Sequence, residues 1–199
     1  MASQVEIINR ALIKLGASRI TSIDDASKSA QVMSVLWDTV RRSELSKRYW
    51  TFSLARVLLP ALSTPPTFGF GNAYQLPPDY LKLVQVGDQY LAPGLADYRT
   101  QDDSAWAIEA GVLMTNFGAP LKIRYVADVS DPGLFTPQFI EVMASKLAYE
   151  ACYAITQSRD GQQAAGQDYK QAVREAAMAN AIEKPPQGML DDAWILGRL

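Results

Sequence analysis

The sequence predicts an α+β fold: a helical bundle drawn from both ends of the chain, a small antiparallel β unit inserted between them, and an extended C-terminal tail. Three observations carry this reading. Apolar residues recur at helical spacing in two segments before residue 50 and two after residue 136. The stretch between is rich in strand formers and is cut by Gly and Pro turns. Beyond Pro185-Pro186, which stops the last helix, large apolar residues continue in a short tail. The expected divisions are residues 1–50 and 130–184 for a discontinuous bundle, 51–129 for the β domain and 185–199 for a docking tail.

The first helix opens on Ser3 and Glu6, a capping box in which each residue satisfies the other's backbone N–H. Val5, Ile8, Leu12 and Leu15 follow at helical spacing, and Gly16 suits the stop. Asp24 or Asp25 is the expected cap of the second helix, whose apolar face is Met33, Leu36, Trp37 and Val40. Arg41, Glu44, Lys47 and Arg48 crowd its last turns and read as a solvated helix end, where basic residues favour the helix dipole.

From Thr51 the pattern changes. "TFSLARVLL" alternates as a strand, and "STPPTFGFGN" is a loop. "AYQLPPDYLKLVQVGDQYLAPG" reads as a strand, a Pro-Pro corner, a second strand and a turn at Gly87-Asp88. A short strand is expected at residues 97–101. Trp106 and Ile108 alternate before a turn at Ala110-Gly111, and Val112 and Met114 alternate after it. Leu121, Ile123 and Tyr125 share one strand face and Lys122 and Arg124 the other. The total is about five to seven short strands.

Helix returns with Thr136 as cap and Pro137 in the first position, where its missing N–H costs nothing. Phe139, Val142 or Met143, Leu147, Ala151 and Ile155 form a broad stripe, with Ile140, Tyr149 and Tyr153 off it. A helix apolar on several faces is either central to its fold or faces another subunit. Ser158 caps an alanine-rich last helix, along which Tyr169, Val173, Met178 and Ile182 are spaced. An antiparallel hairpin with the preceding helix is the simple arrangement.

Composition excludes several functions. The 199 residues carry no histidine and one cysteine, Cys152, so Ser/His and Cys/His nucleophiles and thiolate metal clusters are absent from the chain. The formal net charge is −2, with no basic run to track phosphates. No apolar stretch is long enough for a transmembrane helix, and the first ten residues lack the regions of a signal peptide. Asp24-Asp25, Asp102-Asp103 and Asp191-Asp192 are adjacent acid pairs, but neighbours point apart and Asp is a common turn and cap residue. Gly69 to Gly71 lacks the Lys-Ser/Thr and helix of a phosphate loop. Cys152 reads as a buried small hydrophobe.

Four stretches in order resemble one family. "IINRALIKLGASRITSIDDASKSAQ" is similar to the N-terminal signature of tail tubular protein A, the head-to-tail adaptor of short-tailed bacteriophages. "RRSELSKRYWTFSLAR" resembles its helix end running into Trp-x-Phe-Ala-x-x-Arg, with Ser53 in place of the alanine. "FGFGNAYQLPPDYLKLVQV" resembles its Tyr-x-Leu-Pro-x-Asp-x-Leu block, and "YVADVSDPGLFTPQFIEVMASKLAYEACYAIT" its Asp-Pro-x-x-Phe-x-Pro helix entry. The resemblance spans most of residues 5–160.

It implies a structural virion protein, made in the bacterial host cytoplasm. Copies would form a ring of about twelve between the portal of the capsid and the tail nozzle, a closed symmetric assembly. Double-stranded DNA would pass through the channel without specific binding. The role is assembly and conduction, not catalysis, so the resemblance brings no catalytic residue, cofactor, metal or membrane anchor. The alternative from the residues is a histidine-free carboxylate hydrolase of glycan or peptidoglycan, with Asp102 and Asp103 as its acids. In the tail, Met189, Leu190, Trp194, Ile195, Leu196 and Leu199 are the expected contacts to portal or a neighbouring subunit. Each large apolar side chain fully buried there is worth about 1.5–3 kcal/mol before ordering costs.

Overall fold

The computed structural model describes residues 2–87, 89–90 and 106–182. It has four helices, α1 (Gln4–Lys14), α2 (Lys28–Lys47), α3 (Pro137–Thr156) and α4 (Arg159–Ile182). Between α2 and α3 lie seven strands: β1 (Leu54–Leu59), β2 (Asn72–Gln75), β3 (Tyr80–Val86), β4 (Gln89–Tyr90), β5 (Trp106–Glu109), β6 (Val112–Thr115) and β7 (Leu121–Ala127). The fold is α+β, with the β unit inserted into the helical bundle. The strand expected at residues 97–101 and the tail lie outside the described residues.

Local chemistry sets the helix ends. Ser3 and Glu6 form both bonds of the capping box, at 2.7 and 3.2 Å. α1 stops before Gly16, whose φ of 67° is the left-handed conformation that glycine adopts without strain. The Asn9 amide then clamps the linker, bonding both the N–H and the C=O of Ile20. Neither Asp24 nor Asp25 caps α2. Ser27 does, through the Ala30 N–H. Asp25 closes the preceding turn instead, accepting from the N–H groups of Thr21 and Ser22. Those backbone bonds, from Ser22 and then Thr21, hold its carboxyl below the usual range. Thr136 and Pro137 start α3 as expected, and the Ser158 hydroxyl accepts from Gly161 at the start of α4.

α3 is the hub, packing against α1, α2 and α4. Phe139, Val142, Met143, Leu147 and Ala151 are buried. α4 lies along α3 through Ala165, Ala172 and Ala176. A Cβ at Gly166 would stand 3.2 Å from the Tyr149 ring, so any larger residue there requires the ring to shift by a few tenths of an ångström. Met178 and Ile182 of α4 are exposed.

The strands form two antiparallel sheets, ordered β1-β7-β3-β4 and β2-β6-β5. One side of the first sheet gives Leu54, Leu81, Val84 and Val126 to the bundle core. Its other side gives Leu83, Val86, Leu121, Ile123 and Tyr125 to a second core shared with Tyr74 and Leu113 of the second sheet. The alternation of β7 read from the sequence therefore separates two cores. Where bundle meets sheet, Trp50, Phe52, Phe135 and Phe139 form an aromatic cluster with centroids 4.9–6.5 Å apart. Such pairs add about 0.5–1.5 kcal/mol each beyond the area they bury.

Candidate functional site

The six predicted contact residues, Met189, Leu190, Trp194, Ile195, Leu196 and Leu199, lie outside the described residues, as do Asp102-Asp103 and Asp191-Asp192. The described surface offers a different candidate, on α2 and α3. α2 divides into two halves with opposite behaviour.

The C-terminal half buries charge. Arg41 is 5% exposed and Glu44 2%. The expectation of a solvated helix end holds for Lys47 and Arg48, which are exposed, and is corrected for Arg41 and Glu44, because partners from distant segments cover them. Arg41 pairs through Nη1 with the Asp128 carboxylate, donates to the Val129 carbonyl at 2.9 Å, and pairs through Nη2 with Asp38 at 3.1 Å. Arg42 Nε reaches the other oxygen of Asp128 at 2.8 Å. Glu44 accepts from Lys47 Nζ at 2.6 Å and from the Tyr169 hydroxyl at 3.0 Å. Burial pushes the Tyr169 hydroxyl up from its ordinary pKa, and the Glu44 carboxylate adds to the rise. For Lys47, burial lowers the value but Glu44 outweighs it, and the net shift is upward. Just beyond α2, Asn180 of α4 bonds the Thr51 N–H and the Tyr49 carbonyl, both at 3.0 Å.

A groove of about 540 Å³ runs beside Glu44, Lys47, Tyr169 and Asn180. Glu44 is engaged by two donors, and its partners are a lysine and a tyrosine rather than a second acid. The arrangement ties α2 to α4 and presents no pair of free carboxylates for acid–base work.

The N-terminal half of α2 does the reverse. Val35 is 77% exposed. Together with Val32, Leu36 and Ala154 of α3 it lines a groove of about 360 Å³, rimmed by Gln31 and Glu150. Tyr153, on α3 next to this groove's Ala154, is 51% exposed. Glu150 is paired with Lys146 along α3. The groove is an apolar seam between two well-anchored helices, with chemistry suited to packing rather than to bond breaking. The sequence analysis placed Leu36 on the buried face and passed over Val32 and Val35. The signal was present, since Val32, Val35 and Leu36 stand at i, i+3 and i+4 and form a second apolar row.

The remaining motifs have structural roles. Cys152 is buried, with its Sγ 3.4 Å from Thr156 Oγ1. Gly71 donates its N–H to Asn116 Oδ1 in a loop. Among the described residues, no group of three or more Asp, Glu or Cys stands ready to hold a metal ion. No helix among them is long and apolar enough to cross a membrane. Comparison with protein-family models and with curated proteins finds no match to this chain.

Proposed function

We propose that this chain is a structural subunit of a head-to-tail adaptor, assembling as a ring between a phage portal and the tail nozzle, with DNA passing through the channel. The observation that carries the reading is the apolar groove of α2 and α3, which leaves Val35 77% exposed beside the bundle core. A groove on one side of a subunit that meets a different surface of the next copy is a heterologous contact, which closes into a ring when the rotation allows. The second support is the resemblance of four ordered sequence blocks to the adaptor family. The mild net negative charge of −2 suits a channel wall that lets DNA slide. On this reading, the tail residues Met189, Leu190, Trp194, Ile195, Leu196 and Leu199 dock on portal or on the neighbouring subunit. Modest gains per copy then add around the ring through multivalency.

The test is mass photometry and electron microscopy of the full chain mixed with a portal ring. The expected result is a cyclic oligomer seated on portal. Val35→Asp should prevent lateral assembly while leaving the subunit folded, and removing residues 187–199 should abolish seating on portal. A chain that stays monomeric and never joins portal rules the reading out. The competing hydrolase reading rests on Asp102 and Asp103 and draws on nothing among the described residues.

A further inference from the structure

On β1 and β7 the bundle-facing side of the first sheet begins with an apolar rung, where Leu54 stands opposite Val126. At the next rung Arg56 and Arg124 face each other directly in register, and beyond them Leu58 faces Lys122. Gln85 of β3 flanks Arg124 on the other side. Like charges directly opposed across strands destabilise a sheet. Among the described residues, none of the ion pairs involves Arg56, Lys122 or Arg124. Arg124 Nε is buried and has no hydrogen-bond partner. A buried donor left unmade is costly, and among the described residues nothing accepts from this one.

The three cations line a cleft of about 420 Å³, shared with Leu58, Gln85 and Gly87. Guanidinium forks match the oxygens of a phosphate, and two arginines on adjacent strands with a lysine on the flank suit a dianion better than a single carboxylate. The cleft is larger than a bare phosphate and falls in the range of small-ligand sites. Leu58, 58% exposed, supplies an apolar wall.

We infer that this cleft binds a phosphate monoester, with the phosphate on Arg56, Arg124 and Lys122 and a small organic group against Leu58. The inference is independent of the ring-subunit reading and survives its failure.

The experiment is a titration of the ¹⁵N-labelled full chain, following the arginine Nε–H signals by NMR, with Arg124→Lys used for assignment. The probes are phenyl phosphate, inorganic phosphate, phenol and hexaglutamate. The expected result is a saturable shift of the Arg124 Nε–H with phenyl phosphate, weaker with inorganic phosphate and absent with phenol. Binding should strengthen as pH rises through the second phosphate pKa, about 6, because the dianion forms there. Arg56→Gln and Lys122→Gln, both at exposed positions, should each weaken binding roughly tenfold. An Arg124 signal that does not move at millimolar phenyl phosphate overturns the inference. So does tighter binding of hexaglutamate, which would make the cleft a seat for an acidic peptide.

Discussion

Each half of α2 breaks, at one or two positions, the usual rule that apolar side chains go inside and charges outside. Residues 31–36 leave Val35 in the open, while residues 41–44 hide an arginine and a glutamate. The difference lies in who supplies the partner. Asp128, Val129 and Tyr169 come from within the chain to meet the charged half. Val35 in the apolar half has only the groove wall of α3 beside it. A buried charge with its counter-charge in place marks a joint completed by folding. On the proposed reading, the exposed apolar row beside Val35 is the joint left for a neighbouring copy.

The comparison breaks first at Arg41. Arg41→Ala leaves Asp128 buried with Arg42 alone and empties the seam between bundle and sheet. Removing one partner of a buried pair costs about 3–5 kcal/mol, which a urea unfolding midpoint would register. A loss below about 1 kcal/mol would place this pair with ordinary surface bridges. Glu44→Ala is the next largest. It strips Lys47 and the Tyr169 hydroxyl of their acceptor and should cost about 1–3 kcal/mol by the same measurement.

A third seam sharpens the scale. Glu141 of α3 meets Arg10 and Lys14 of α1, and it is only partly buried. Burial raises its pKa, but Lys14 and Arg10 outweigh that and hold the carboxyl below its ordinary value of 4.5. The pair's contribution is therefore complete above that ordinary value and is lost as pH falls through the lowered folded-state value. Stability followed by circular dichroism should fall as pH drops below 4.5, and Glu141→Gln should flatten the dependence in that window. An unchanged acid profile in Glu141→Gln would remove this bridge from the account. The smallest stability effect belongs to the exposed half: Val35→Asp should change unfolding free energy by no more than about 0.5 kcal/mol. A clear destabilisation there would mean that Val35 serves the monomer's own core, and the assembly argument would weaken.

Much of the fold was legible because it rests on neighbours in sequence. Ser3 with Glu6, Thr136 with Pro137, and Ser158 announce helix starts through contacts three residues away. The alternation of Leu121, Ile123 and Tyr125 with Lys122 and Arg124 fixes which side of β7 is apolar. The reading of Asp24 or Asp25 as the cap of α2 went wrong because the Asp25 carboxylate is already engaged by the turn at Thr21 and Ser22, which leaves the cap to Ser27. Arg41 and Glu44 were misread for a deeper reason. Arg41 meets Asp128 across 87 positions and Glu44 meets Tyr169 across 125, distances at which periodicity carries no information.

By itself, then, the chain's residue order determined the helix and strand periods, the caps built from near neighbours, and the absence of histidine chemistry. Tertiary structure alone decided that Arg41 and Glu44 of α2 are buried, that Val35 is left facing outward, and that Arg56 stands opposite Arg124. Burial and register are properties of pairs brought together by folding, and a side chain's polarity does not state in advance which partner will reach it.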